Sequence, residues 1–346
     1  MFATMSVILR AVGVAVIVAA AAGCAAPARP AIGGYAIVYG VSDYGAPVAG
    51  TIRINSLPFP HADAIAIAAL LDDQGYEVTL RIDSDATTAN LFADIEEVGA
   101  KMTQDGRPDA PFFLYFAGHG IGAGTDDRYP PALVAALDSA STPGARSAFL
   151  FFHPNAGSNP TDWSQVIDDQ AVSETRLRAA LFAPDTQGGV AGAPAIVSHR
   201  SLIVIDACHA GGFIEAATGY DATPADYTGS GRGVSAPDAL SAFALSISNW
   251  SAGEPDGGSA VVVASSGAYE WAWENSRLGH GIFTYFFLET PWNADRNRDG
   301  WITVTEAYNH AAARVDAYWN ETVTGSNRYM PRMSGGATDF VLFESR

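Results

Sequence analysis

Short apolar runs alternate with segments of helical period along most of the chain, the rhythm of an α/β fold with a mostly parallel sheet. Tyr35–Val41 (YAIVYGV), Tyr76–Leu80, Pro111–Phe116 (PFFLYF), Ser201–Asp206 (SLIVID), Ser259–Ser265 (SAVVVAS) and Asp339–Phe343 (DFVLF) read as strands. Asp63–Asp73 reads as an amphipathic helix stopped by Gly75, and Thr87–Met102 as a second with Asn90, Asp94 and Glu97 on its wet side. Ser173–Leu181 and Ile282–Glu289 are further helical segments. Residues 122–148 and 184–199 interrupt the rhythm as loop-rich insertions. Residues 219–258, with TGSGRGVSAP and SAGEPDGGS inside them, read as a flexible surface linker.

The first 23 residues break this pattern. They carry no acid, one base at Arg10 and an apolar stretch from Ala11 to Ala22, the order of a secretory signal peptide. The following Ala21-Ala22-Gly23-Cys24 resembles a bacterial lipobox, which implies a lipid on Cys24 and a tether over residues 24–33 before a single domain at 34–346. Ordinary cleavage after a small residue is the alternative. The expected location is the cell envelope or outside the cell, with a membrane contact through the lipid alone. No later apolar run approaches the roughly 20 residues a membrane helix needs.

With 346 residues, 48 % of them hydrophobic, the chain can bury a full core. Its formal charge of −18 makes it a poor partner for phosphate backbones, so nucleic acid is excluded as a ligand. Only two cysteines exist, Cys24 and Cys208, in settings too different to read as a disulfide.

Cys208 and His119 each follow an apolar strand, and glycines frame both: Gly118 and Gly120 around the histidine, Gly211 and Gly212 after the cysteine. Catalytic groups of open α/β sheets sit beyond the carboxyl ends of strands. A thiol beside an imidazole is the minimal activated nucleophile, because the thiolate is the reactive form. AGHG at 117–120 and DACHAGG at 206–212 resemble the His-Gly and Asp-x-Cys-His-x-Gly blocks of metacaspases and bacterial caspase-like cysteine peptidases. The flanking blocks at 35–44, 57–78, 261–289 and 333–343 fall in that family's order. The resemblance implies a caspase-like three-layer sandwich, a His119/Cys208 dyad, and the amides of Gly120 and Cys208 as oxyanion donors. His209, adjacent to the nucleophile, is read as structural. The interval from His119 to Cys208 is 89 residues, against about 50 in caspases, and the insertions account for the difference.

Asp206 stands two residues before Cys208 on the same strand, so both side chains are expected on one face, where a carboxylate can pair with a cationic substrate. In metacaspases an Asp here and another at the start of the first helix line a pocket for Arg or Lys. Asp63 takes the second place, although Pro60 stands where that family has a cysteine. A plain helix N-terminal carboxylate is the other explanation of Asp63.

Asp295, Asn297, Asp299, Gly300, Thr303 and Glu306 match a twelve-residue EF-hand loop over 295–306, with Trp301 offering its carbonyl. That pattern points to Ca2+; an acidic turn capping the next helix is the alternative. The expected activity is a calcium-stimulated cysteine endopeptidase acting on peptides or proteins with Arg or Lys at the cleaved bond, self-processed after Arg232 in the linker; an uncut enzyme with the linker as a tolerated insertion is the alternative. Its rival is a catalytically silent caspase-like module for calcium-dependent interaction.

Overall fold

A strand covered on both faces must be apolar throughout, and β1 (Tyr35–Gly40) is buried at every residue. A computed structural model of the chain describes residues 32–45, 54–122, 130–141, 148–182, 196, 198–209, 260–266, 272–323, 328–334 and 339–346, with backbone only at 122, 208, 209 and 334. Residues Ala31–Arg346 form one compact unit. The signal segment, Cys24, the 219–258 linker and Arg232 lie outside the described residues.

In chain order the remaining strands are β2 (Glu77–Ile82), β3 (Phe112–Gly122), β4 (Ala148–Phe151), β5 (Ala171–Ser173), β6 (Ser201–His209) and β7 (Ala260–Ala264), then β8 (Glu274–Asn275), β9 (His280–Gly281), β10 (Trp301–Thr303), β11 (Arg332–Ser334) and β12 (Val341–Glu344). The main sheet runs β11-β7-β6-β3-β1-β2. Its four central pairings are parallel and only β11 is antiparallel, against β7. β4 and β5 extend the far end of β3 in antiparallel fashion. Two small pairs stand apart, β8 with β9 and β10 with β12.

The period of two in the strands sorts the core into two layers. Ile37, Tyr39, Leu114, Phe116 and Ile203 face Leu91 and Ile95 of α2 (Thr88–Gln104). Val38, Phe113, Tyr115 and Val204 face the other way, against Ile67 and Leu71 of α1 (Pro60–Asp73) and Phe283 and Phe287, which belong to a helix at Ile282–Leu288. The result is the expected architecture, a largely parallel sheet flanked by helices.

Three details depart from the sequence pattern. First, the insertion at 122–148 contains α3 (Pro131–Ala140), whose Leu133, Ala136 and Leu137 are buried at helical spacing. Downstream, α4 (Trp163–Gln170) and α5 (Glu174–Phe182) complete the α2 layer, so α6 is the helix at Ile282–Leu288. Second, β3 and β6 do not stop at Phe116 and Asp206. Their ladder continues through Ala117–Asp206, Gly118–Ala207, His119–Cys208 and Gly120–His209. Glycine and alanine have little strand propensity, but pairing with a neighbour overrides it.

Third, Asp94 does not face water; it is 1 % exposed. Tyr39 Oη donates to its Oδ2 at 2.5 Å, and Arg81 donates through Nε at 3.0 Å and Nη2 at 2.7 Å. A forked guanidinium on β2 therefore closes over a carboxylate that α2 carries inward, and burial with the Asp94 bond pushes the Tyr39 phenol far up. Asp94→Ala leaves that guanidinium and phenol without their acceptor. Urea denaturation is expected to show a loss of about 2–4 kcal/mol, and Tyr39→Phe about 1 kcal/mol.

Candidate active site

The chain leaving β1 is held by one strained residue. Asp83, at φ 45°, accepts the amides of Ser42 at 2.8 Å and Asp43 at 3.0 Å through Oδ1, and His61 Nδ1 lies 2.6 Å from its Oδ2. These bonds hold its carboxyl below the ordinary carboxylate range against the opposing effect of burial. The loop so anchored delivers Tyr44, whose hydroxyl accepts the His119 amide at 2.6 Å and whose ring lies 4.9 Å from the imidazole. Gly118 permits this approach, since a Cβ there would sit 2.8 Å from Tyr44 Oη and 2.9 Å from Phe116 Cζ.

His119 is 2 % exposed. Its Nε2 is 2.8 Å from the carbonyl oxygen of Asn55. A carbonyl only accepts, so Nε2 carries the hydrogen and Nδ1 the lone pair. Burial lowers its pKa to about 4, partly offset by the Asn55 bond, so the ring is neutral at physiological pH. On the adjacent strand, the backbone partner of His119 is Cys208. Neighbouring strands are about 4.8 Å apart, so these two residues stand side by side within the sheet rather than on loops beyond it. Gly120 lies between His209 and Leu150 in the ladders on its two sides.

A narrow cavity of about 10 Å³ is lined by Gly118, Asp63, Asp206, Trp273, Glu274 and Gly281 among others. Asp206 is in register with Ala117, and Asp63 sits in the first turn of α1. Gly281 passes between them: a Cβ there would lie 2.8 Å from Asp206 Oδ2 and 3.1 Å from Asp63 Oδ2. Asp63 accepts the Gly281 amide at 3.1 Å, and His280 Nδ1 is 2.7 Å from its Oδ1. Thr284, on α6, donates to Asp206 at 2.5 Å, and its Oγ1 is 2.6 Å from Tyr115 Oη. Burial, and then the Asp63 charge, raise the Asp206 carboxyl to about 6; burial also raises Asp63. Two acids that sequence reasoning placed on different elements are thus brought together. The supporting His280, Gly281 and Thr284 lie in a block (LGHGIFTY) whose roles the sequence did not separate.

A family model for the caspase domain matches residues 33–339. The chain belongs to the caspase-domain family. A cysteine peptidase family is therefore the frame for the His119–Cys208 pairing. Among solved structures, the chain is similar to protein GSU0716 from Geobacter sulfurreducens at 14 % identity and TM-score 0.47, covering 88 % of this chain and 94 % of that one. It is also similar to caspase-1 from Spodoptera frugiperda at 10 % identity and TM-score 0.45, covering 88 % and 89 %. No curated protein matches it.

Next to this caspase-domain core, α7 (Thr290–Asn293) leads into the 295–306 loop. Asp295 accepts the Gly300 amide at 3.1 Å, Asn297 the Asp299 amide at 2.8 Å and Asp299 the Trp301 amide at 2.8 Å. Arg298 and Gly300 take positive φ, 60° and 87°, which curls the loop tightly. Glu306 is turned away from it. Its Oε2 accepts the Thr303 amide at 3.1 Å, and Thr303 Oγ1 accepts the Glu306 amide at 3.3 Å, a capping box that opens α8 (Val304–Val315). Among the described residues, no three His, Cys, Asp or Glu side chains are grouped to hold a metal.

The raised Asp206 has a testable sign. Folded protein keeps a proton there that the unfolded chain loses above the ordinary carboxylate value near 3.9, so its contribution to stability falls from about pH 4 to about pH 6 and stays lost above. His119, depressed to about 4, works the opposite way, adding stability as pH rises from about 4 to about 6.5. Asp206→Asn is expected to raise the thermal midpoint at pH 7.5, by about 1–3 kcal/mol of stability, and to leave it unchanged at pH 4. Differential scanning fluorimetry across pH reads this directly, and a lower midpoint at both values would contradict it.

Proposed function

We propose that the protein is an exported cysteine endopeptidase that cleaves after Arg or Lys with His119 and Cys208 as its dyad. The observation that carries this reading is the register pairing of His119 with Cys208 within a caspase domain. In this mechanism the Asn55 carbonyl holds the imidazole by its Nε2 hydrogen, and Nδ1 takes the proton of the Cys208 thiol as sulfur attacks the scissile carbonyl. Because burial keeps His119 a weak base, the proton moves together with the attack rather than before it. The amides of Gly120 and Cys208 receive the oxyanion. Collapse expels the amine, which leaves with the proton from Nδ1, and water then hydrolyses the thioester, releasing the acid and restoring the thiol.

Asp206 and Asp63 supply the substrate preference. A cationic side chain entering between two buried carboxylates relieves their repulsion and favours the ionised form of Asp206 that burial disfavours. The same charges oppose an acidic side chain at the cleaved bond. In the proposed life of the protein, the signal is removed, lipid on Cys24 anchors the domain at the cell envelope, and self-cleavage after Arg232 divides the linker. Fluorogenic Arg and Lys peptides are expected to be hydrolysed by the wild type. Cys208→Ala and His119→Ala are expected to retain less than about a thousandth of that activity with folding intact. Intact-mass measurement of the same samples would show a chain divided after Arg232 in the wild type alone. Turnover by either variant at the wild-type rate would overturn the dyad.

Calcium is the proposed ion of the 295–306 loop. Asp295 Oδ1 is buried without a hydrogen-bond partner, which fits a loop built to present oxygen to a hard cation. Asp295, Asn297, Asp299, the Trp301 carbonyl and Thr303 would hold it, with Glu306 released from its cap to close the site; the ion supplies charge neutralisation and rigidity. Millimolar calcium is expected to raise the thermal midpoint of the wild type, and Asp299→Ala or Glu306→Ala to abolish the gain. A calorimetric blank at millimolar calcium would remove the ion from the proposal.

A further inference from the structure

We infer that Tyr44 is a positioning residue for the dyad: its hydroxyl takes the place of a missing strand, fixes the backbone of His119 and so holds the base in its working position. The inference rests on the His119–Cys208 reading proposed above and adds a residue to it.

The need for such a residue follows from where β1 ends. In a parallel ladder the amides of alternate residues point to the same neighbouring strand. The pairing of β1 with β3 ends at Gly40 and Ala117, and the Val41 amide donates to the Ala117 oxygen at 2.9 Å just beyond it. Two positions further along β3, the residue whose amide faces that same side is His119. By then the other chain has left the sheet, since Ser42 and Asp43 give their amides to Asp83 instead. His119 is buried, and a buried amide without an acceptor costs about as much as a lost hydrogen bond. Tyr44 fills that place, with its Oη accepting the His119 amide at 2.6 Å. A side chain from the loop thus continues, for one residue, what β1 does for the strand before it.

The fit is made for this side chain. Tyr44 is itself buried, and its ring lies 4.9 Å from the imidazole, tilted by 39°, so one residue bears on both the backbone and the ring of the base. Gly118 leaves the opening through which the hydroxyl reaches the strand. On its other side His119 is held by its register with Cys208, and its Nε2 by the Asn55 carbonyl at 2.8 Å. The base is therefore fixed along both edges of its backbone and at one ring nitrogen, and Nδ1 serves the thiol. Proton transfer between paired groups tolerates little error in placement; about 1 Å costs on the order of a hundredfold in rate. Tyr44 acts through His119 alone.

Tyr44→Phe keeps the ring and removes the acceptor. On a fluorogenic Arg peptide it is expected to lower kcat by about tenfold to a hundredfold while KM stays within about twofold. Tyr44→Leu, which removes the ring as well, is expected to lose more. An unchanged kcat in Tyr44→Phe, or a loss confined to KM, overturns the inference and leaves the dyad standing. Turnover by His119→Ala at the wild-type rate overturns the dyad and the inference with it. Alkylation of Cys208 by iodoacetamide, followed on the Cys208 peptide by mass spectrometry, separates positioning from a general loss of stability. In the wild type the reaction is expected to persist below about pH 7, because His119 takes the thiol proton as sulfur attacks. In Tyr44→Phe it is expected to follow the ordinary thiolate and rise only toward about pH 8.5, as in His119→Ala. A wild-type profile in Tyr44→Phe overturns the inference. A further measurement needs no variant. Hydrogen exchange of the wild type is expected to protect the His119 amide as strongly as those of Phe113 and Tyr115 inside the ladder, and exchange at the rate of an open loop overturns the assignment.

Discussion

The parallel ladder between β3 and β6 carries more of this structure than any other contact. Both strands are apolar and doubly covered up to Phe116 and Ile205, and then continue as Ala-Gly-His-Gly and Asp-Ala-Cys-His with the pairing unbroken. Backbone hydrogen bonding, more than local strand propensity, carries the chain through these residues. The ladder fixes the offset that sets His119 beside Cys208 and Asp206 beside Ala117. A slip of one residue would turn each of those side chains to the opposite face. Register is thus the first determinant of the site, and the helices that cover the sheet maintain it.

The second determinant is the concentration of acid in a dry place. Asp63 and Asp206 would repel each other if fully ionised, and burial already disfavours their charged forms. The fold holds them with directed donors: His280 and the Gly281 amide on one, Thr284 on the other. Thr284 and Gly281 come from the start of α6 and the strand just before it, so one short stretch of chain supports both acids. Such a pocket stores repulsion that the fold alone does not remove, and the proposed preference for a basic side chain rests on that property.

Much of this was legible in the sequence because the signals were local. Buried strands announce themselves by unbroken apolar runs, and the Gly-framed His119 and Cys208 by position after them. The length of β3 and β6 was not legible, since Ala-Gly-His-Gly carries loop propensities and becomes strand only through its partner. Asp94 was misread for a related reason: its helical position is ambiguous until Arg81 and Tyr39, distant in sequence, turn it into a buried acceptor. The 122–148 insertion hid α3 because Pro131 and the flanking turn residues outweighed a short apolar stripe. Glu274 lies within the 261–289 block, but its place beside the two aspartates was not legible there. That place depends on standing opposite Gly281, a relation the register of a two-residue hairpin creates.

Asp83 shows how little freedom such a scaffold leaves at a position remote from the chemistry. Its backbone lies in the left-handed region, which most residues occupy only at a cost and which asparagine, aspartate and glycine tolerate best. Its carboxylate meanwhile serves Ser42, Asp43 and His61 at once. Glycine would relax the backbone and free three donors; asparagine would keep the turn and give up the charge that His61 meets; a larger or branched residue satisfies neither demand. Sequence drift at this turn is therefore confined to a very small alphabet, although the residue does not line the pocket of Asp63 and Asp206. Its influence reaches Tyr44 and His119 only as geometry, through the loop it pins.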